Sequence, residues 1–105
     1  MSRRVVVRYK VKSEHAAENE QLVRAVYAEL HETQPDGLRY ATFKLADGVS
    51  FVHVAEHEEE LPNALTQLES FRRFQEALGE RCDEQPVVSE ATTIGSYSYG
   101  GAPPT

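Results

Sequence analysis

Hydrophobic and polar positions alternate at the start of the chain. Over residues 4–12, Val5, Val7, Tyr9 and Val11 fall on one side of an extended backbone, and Val6, Arg8, Lys10 and Lys12 on the other. This is the period-two pattern of a strand with one apolar face. The period then lengthens. Ser13 stands where a helix cap is favoured, and Glu14 and Glu18 suit the positive end of a helix dipole. Ala16, Leu22, Val23, Val26 and Leu30, with Asn19 among them, recur at three- and four-residue steps and predict a helix with one buried stripe. Arg24, Glu29 and Glu32 are expected in solvent. Pro35-Asp36-Gly37 ends the helix, because proline cannot continue it and glycine serves the turn.

Residues 38–57 read as a β-hairpin about Asp47-Gly48, a pair that tolerates the positive φ of a type I′ turn. The turn sets the register: Leu38 opposite His57, Tyr40 opposite Ala55, Thr42 opposite His53, Lys44 opposite Phe51 and Ala46 opposite Val49, with paired residues sharing a face. One face carries Ala41, Phe43, Leu45, Val52 and Val54, with Arg39, Ser50 and Glu56; it is the more uniformly apolar of the two, which places it under the helices. The other carries Leu38, Tyr40, Thr42, Lys44, Phe51, His53 and His57, with Val6 and Arg8 expected beside them, a mixture that suits a surface meeting a ligand or partner. Beyond it the 56–60 run, Glu-His-Glu-Glu-Glu, reads as a solvated connection. Thr66 to Glu69 fits a capping box, with Ser70 a rival helix start, and Leu68, Phe71, Phe74, Ala77 and Leu78 form a second helical stripe. Pro86 opens a last strand over residues 87–99, rich in Val, Thr, Ile and Tyr, and residues 100–105 form a flexible tail.

The order strand, helix, hairpin, helix, strand predicts an α+β fold, the ferredoxin-like plait (βαββαβ), as a single domain over residues 1–99: a four-stranded antiparallel sheet with both helices on one face. A second copy covering the bare face would make a dimeric α/β barrel, with the long last strand reaching across. At 105 residues one core is expected, and added burial at a subunit interface would help a domain of this size. The net charge of -6, from 17 acids against 11 bases, opposes tight binding to nucleic acid. The first apolar run breaks at Arg8, too short for a signal-peptide core or a membrane span, so a soluble cytoplasmic protein is expected. Cys82 is the single cysteine, which forbids an intrachain disulfide, and no His or Lys adjoins it to activate the thiol.

The run Ser50-Phe51-Val52-His53-Val54-Ala55-Glu56-His57-Glu58, residues 65–74, and the closing Ile94-Gly95-Ser96-Tyr97 together resemble the antibiotic-biosynthesis-monooxygenase (ABM) group of dimeric α/β-barrel proteins. The resemblance spans Val5 to Tyr97 and implies a homodimer of ferredoxin-like subunits. Its activities include cofactor-independent oxidation of quinols and polycyclic phenols, and haem degradation. The haem-degrading members rely on an asparagine of the first strand, a tryptophan near the end of the third and a histidine on the second helix. This chain has no tryptophan, no histidine after His57 and no asparagine in its first strand, which excludes that constellation; His57 stands at the tryptophan-like position.

His53, mid-strand between Phe51 and Tyr40 and opposite Thr42, is the candidate catalytic base toward a phenolic hydroxyl, because an imidazole titrates near neutral pH. Its bland alternative is a histidine bonded to Thr42 in a core or interface. Tyr40, Phe51, Arg8 and His57 are candidate substrate-binding residues, although pairing with acids across a dimer interface suits Arg8 and Lys10 better. Tyr97 and Tyr99 are candidates to close over a neighbouring subunit. No mononuclear metal site is predicted. His53 and His57 lie roughly 13 Å apart along a strand, too far to share one ion, and His15 and His31 about 24 Å apart along a helix. No cofactor is called for. Two functions are expected: a small cofactor-independent monooxygenase of a quinol or phenolic aromatic, or a non-catalytic dimer that binds a small molecule or serves as an interaction module.

Overall fold

A computed structural model describes residues 2–98. The elements run β1 (Ser2–Val11), α1 (Ala16–Thr33), β2 (Leu38–Lys44), β3 (Ser50–Glu58), α2 (Glu69–Gln75), α3 (Leu78–Arg81) and β4 (Cys82–Glu90), with short 3-10 turns at Ser13–His15 and Ala64–Gln67. The sheet is antiparallel throughout, in the order β2-β3-β1-β4. This is the ferredoxin-like plait that the element order predicts.

The hairpin register is as expected: Leu38 pairs His57, Thr42 pairs His53 and Lys44 pairs Phe51. The turn differs. Only Gly48 takes a positive φ, 78°, and the Gly48 amide donates to the Leu45 carbonyl at 3.0 Å. Asp47 stays outside the left-handed region because its carboxylate bends back to accept from the amides of Val49 and Ser50, at 2.9 and 2.8 Å, and from the Ser50 hydroxyl at 2.6 Å.

The faces of the sheet are reversed from the sequence-based expectation. Phe51 and His53, with Tyr9 and Val11 of β1, are 4% exposed or less and lie under the helices, while Phe43 and Leu45 are 42% and 45% exposed. Polar atoms decide the matter. Tyr40 and Thr42 both bond His53, Thr42 meets Tyr27 of α1, and His53 meets Tyr9, which accepts from Asn19 of α1, so the polar atoms of this face are buried with partners. The bare face therefore carries Val6, Ala41, Phe43, Val52 and Val54, and Arg8 lies there too, opposite Val52.

Element ends also moved. Ser13 caps nothing; it opens a 3-10 turn, and α1 begins three residues later without a side-chain cap. Glu29 is not free in solvent but accepts from the Ser70 amide and hydroxyl, at 3.0 and 2.6 Å, so α1 supplies the cap that α2 lacks. The Thr66 to Glu69 capping box does not form. Asn63 accepts from the Leu65 amide instead, and the Thr66 hydroxyl donates to the Asn63 carbonyl. The second helix breaks at Ala77, whose φ is 57°, before α3. β4 starts at Cys82 rather than beyond Pro86 and ends at Glu90; a proline is tolerated inside it because it is an edge strand with an irregular register against β1. Residues 91–98 are not strand, and the expected tail and Tyr99 lie outside the described residues.

Candidate functional site

Between the sheet and α2 lies a cavity of about 330 Å³. Val5, Val7 and Val88 of the sheet and Leu65, Phe71 and Phe74 of the helical layer give it apolar walls, and its polar groups come from Tyr9, Tyr40, His53, His57, Asn63 and Gln75. The β1 and β3 positions among these share one sheet face by alternation, which aims them all at the helical side. An apolar cavity with a few convergent polar groups is the common form of a small-molecule site.

His53 sits at the centre of a buried network. Its Nε2 is 2.8 Å from Tyr9 Oη, and its Nδ1 is 2.6 Å from Tyr40 Oη and 3.0 Å from Thr42 Oγ1. Tyr9 Oη accepts from Asn19 Nδ2 at 2.9 Å, and Asn19 Oδ1 accepts from Arg81 Nε at 3.2 Å. Arg81 can only donate, and this fixes the order of donors. Its bond sets the Asn19 amide with Nδ2 toward Tyr9, so the Tyr9 proton is left to donate to Nε2. His53 then carries its own proton on Nδ1, shared between Tyr40 and Thr42. The rings are layered as well: His53 stacks on Tyr9 at 5.3 Å and lies against Phe74 at 5.4 Å.

Burial controls the charges. It pulls the His53 imidazole down to about 4, so the ring is neutral at physiological pH. It pushes the Tyr9 phenol up, against the opposing pull of the Asn19 bond and the Arg81 charge, and raises Tyr40 and Tyr27 too. The Cys82 thiol is buried and likewise raised by desolvation, as an inert cysteine would be. His57 lines the cavity, and its Nδ1 is buried without a hydrogen-bond partner.

Of the residues singled out in the sequence, the cavity brings together His53, Tyr40 and His57. Phe51 is buried one layer away, stacked on Tyr9 at 5.6 Å, and does not line it. Arg8 is a correction: as an even-numbered β1 position it projects from the opposite face of the sheet and cannot reach this cavity. Tyr97 is 93% exposed and closes over nothing in its own chain. Tyr9, Asn19, Tyr27 and Arg81 were not foreseen as site residues. Asn19 carried a signal, a polar residue inside an apolar helical stripe; Arg81 carried none. Among the described residues no cluster of three His, Cys, Asp or Glu side chains could hold a metal ion, and no helix is long and apolar enough to cross a membrane.

No protein-family model matches the sequence, and no curated protein sequence does. Solved structures do match in fold. Rv0793 from Mycobacterium tuberculosis superposes with a TM-score of 0.71 at 17% identity, over 91% of this chain and 98% of that one. SnoaB from Streptomyces nogalater, described as a cofactor-independent oxygenase, gives a TM-score of 0.66 at 18% identity over 90% and 95% of the two chains. An antibiotic biosynthesis monooxygenase gives 0.64 at 19% identity over 90% and 100%. The chain has the fold of the ABM-type proteins that its sequence resembles.

Proposed function

We propose that the protein is a cofactor-independent monooxygenase of the ABM type that oxidises a small phenol or quinol in the cavity beneath α2. The observation that carries this reading is a neutral, buried His53 whose Nε2 is reached through the Tyr9 hydroxyl at the wall of an apolar pocket. A phenol seated there gives its proton to Tyr9 Oη as the Tyr9 proton passes to Nε2. The electron-rich ring then reacts with molecular oxygen, forming a carbon–oxygen bond at a ring carbon that bears hydrogen. Cleavage of the O–O bond leaves one oxygen atom in the quinone and the other in water. The substrate supplies all the electrons, and its two displaced protons end in that water. The description of SnoaB as a cofactor-independent oxygenase supports this chemistry for the fold.

An oxygen electrode with a panel of quinols, naphthols and anthrones tests it. Uptake by the wild type that drops about 100-fold or more in His53→Ala, with the far-ultraviolet dichroism retained, is the expected result. Absence of uptake with every compound, or an undiminished His53→Ala, overturns it and leaves a non-catalytic ligand-binding dimer.

The bare sheet face supports a homodimer. It exposes Phe43 at 42% and Val87 at 52% beside Val6, Val52 and Val54, and the segment after β4 leaves Ile94 fully exposed. Each Å² of such apolar surface removed from water contributes about 25 cal/mol. Light scattering at micromolar concentration is expected to give twice the 11.8 kDa chain mass; a stable monomer refutes the dimer.

A further inference from the structure

We infer that Thr42 and Tyr27 form a proton relay that connects His53 to solvent on the side away from the substrate cavity. This rests on the reaction proposed above, in which His53 takes up the substrate proton through Tyr9.

A second cleft, of about 270 Å³, lies between α1 and β2 and is lined by Glu20, Arg24, Tyr27, Thr42 and Lys44, with Val23 and Phe51 behind them. Neither Thr42 nor Tyr27 lines the first cavity. Thr42 Oγ1 is 3.0 Å from His53 Nδ1 and 2.8 Å from Tyr27 Oη. His53 therefore stands between two clefts: Nε2 is bonded to Tyr9 of the first, and Nδ1 both to Tyr40, which lines the first, and to Thr42, which lines the second. Arg81 and Asn19 set Tyr9 to donate to Nε2, which leaves the Nδ1 proton between Tyr40 at 2.6 Å and Thr42 at 3.0 Å; the relay takes the Thr42 branch, in which Nδ1 donates to Thr42, Thr42 to Tyr27 and Tyr27 to water in the second cleft. The charged rim of that cleft, where Glu20 accepts from Lys44 and Arg24 at 2.7 Å each, keeps it wet.

The relay answers a physical difficulty. An imidazolium surrounded by the rings of Tyr9, Tyr40 and Phe74 is poorly solvated, so a proton captured at Nε2 is costly to store there. If a proton leaves Nδ1 as one arrives at Nε2, the ring stays neutral. Thr42 and Tyr27 each accept one proton and release one, and the last goes to water. A proton returns by the same path when the oxygen atom destined for water leaves the substrate, so the cycle balances without opening the substrate cavity.

Nitrogen-15 NMR of histidine-labelled protein tests this without needing turnover. The expected result is a His53 ring protonated on Nδ1 whose N–H exchanges with solvent about tenfold more slowly in Thr42→Val and in Tyr27→Phe, with Thr42→Ser restoring the rate. Tyr27→Phe keeps the ring that stacks on Tyr40 at 5.3 Å, which guards against a merely structural effect. Wild-type exchange in both variants, or a ring protonated on Nε2, overturns the relay. With a turned-over substrate in hand, the same two variants are expected to lower kcat and leave KM unchanged. A silent oxygen electrode with slowed exchange in the variants would remove the reaction and keep the relay; normal turnover with unchanged exchange would do the reverse.

Discussion

Lowering the pH from neutral to about 4.5 is expected to cost the protein about 2.5 kcal/mol of stability through His53 alone. The folded-state value is depressed to about 4 against 6.5 for an exposed imidazole. Between those values the unfolded chain binds a proton that the folded chain does not, so stability present above pH 6.5 is lost as the pH falls toward 4. Glu20, Glu29 and Asp47, whose carboxyls are also held below their ordinary range by hydrogen bonds, act only at lower pH, beneath about 4.5. The two effects therefore separate along the pH axis. Urea titrations at a series of pH values should show the loss in wild type and a much flatter curve in His53→Gln, which keeps hydrogen-bonding capacity without a titrating ring. Equal slopes in the two proteins would show that the imidazole is not desolvated as described.

Replacement of Arg81 by methionine is expected to destabilise the fold by about 2–4 kcal/mol. The side chain is 4% exposed, and its guanidinium donates to the Phe74 carbonyl at 2.7 Å, the Glu76 carbonyl at 3.1 Å and Asn19 Oδ1 at 3.2 Å, with its carbon 5.6 Å over the Phe74 ring. Methionine fills the volume but orphans three acceptors. Lysine restores the charge without the planar fork that spans them, so Arg81→Lys should recover only part of the loss. Freed of Arg81, the Asn19 amide can turn over and present Oδ1 to Tyr9, which removes the constraint on the His53 proton. Urea midpoints measure the first effect and histidine nitrogen shifts the second; a methionine variant as stable as wild type would mean that the carbonyls find other donors.

The sequence shows the element order, the plait and the hairpin register because each follows from a local period, and a period of two leaves no latitude in which residues pair. The choice of face is different. Counting apolar side chains favoured Phe43, Val52 and Val54 for the interior, yet a face may bury tyrosine, threonine and histidine when their polar atoms meet. Whether they do depends on Tyr9 and Tyr27, which arrive from other segments of the chain. The same reason hides Arg81, whose bond to Asn19 spans 62 positions. Pro86 misled the boundary of β4 because a missing amide ends a central strand but not an edge. His53 and Tyr40 stood out as chemistry on one face of the hairpin, and that much needed no tertiary information.

The seven residues of α2 are fastened at both ends by charged side chains from elsewhere, the Glu29 carboxylate on the amide of Ser70 and the Arg81 guanidinium on the carbonyls of Phe74 and Glu76. Each charge also has the sign that its helix end favours. A wall clamped in this way makes a poor door. The margin free of such a clamp runs along β4, where Pro86 and Val88 line the cavity and Val88 is 65% exposed. Whatever covers that edge in solution would set the rate at which ligand enters, independently of the groups that act on it.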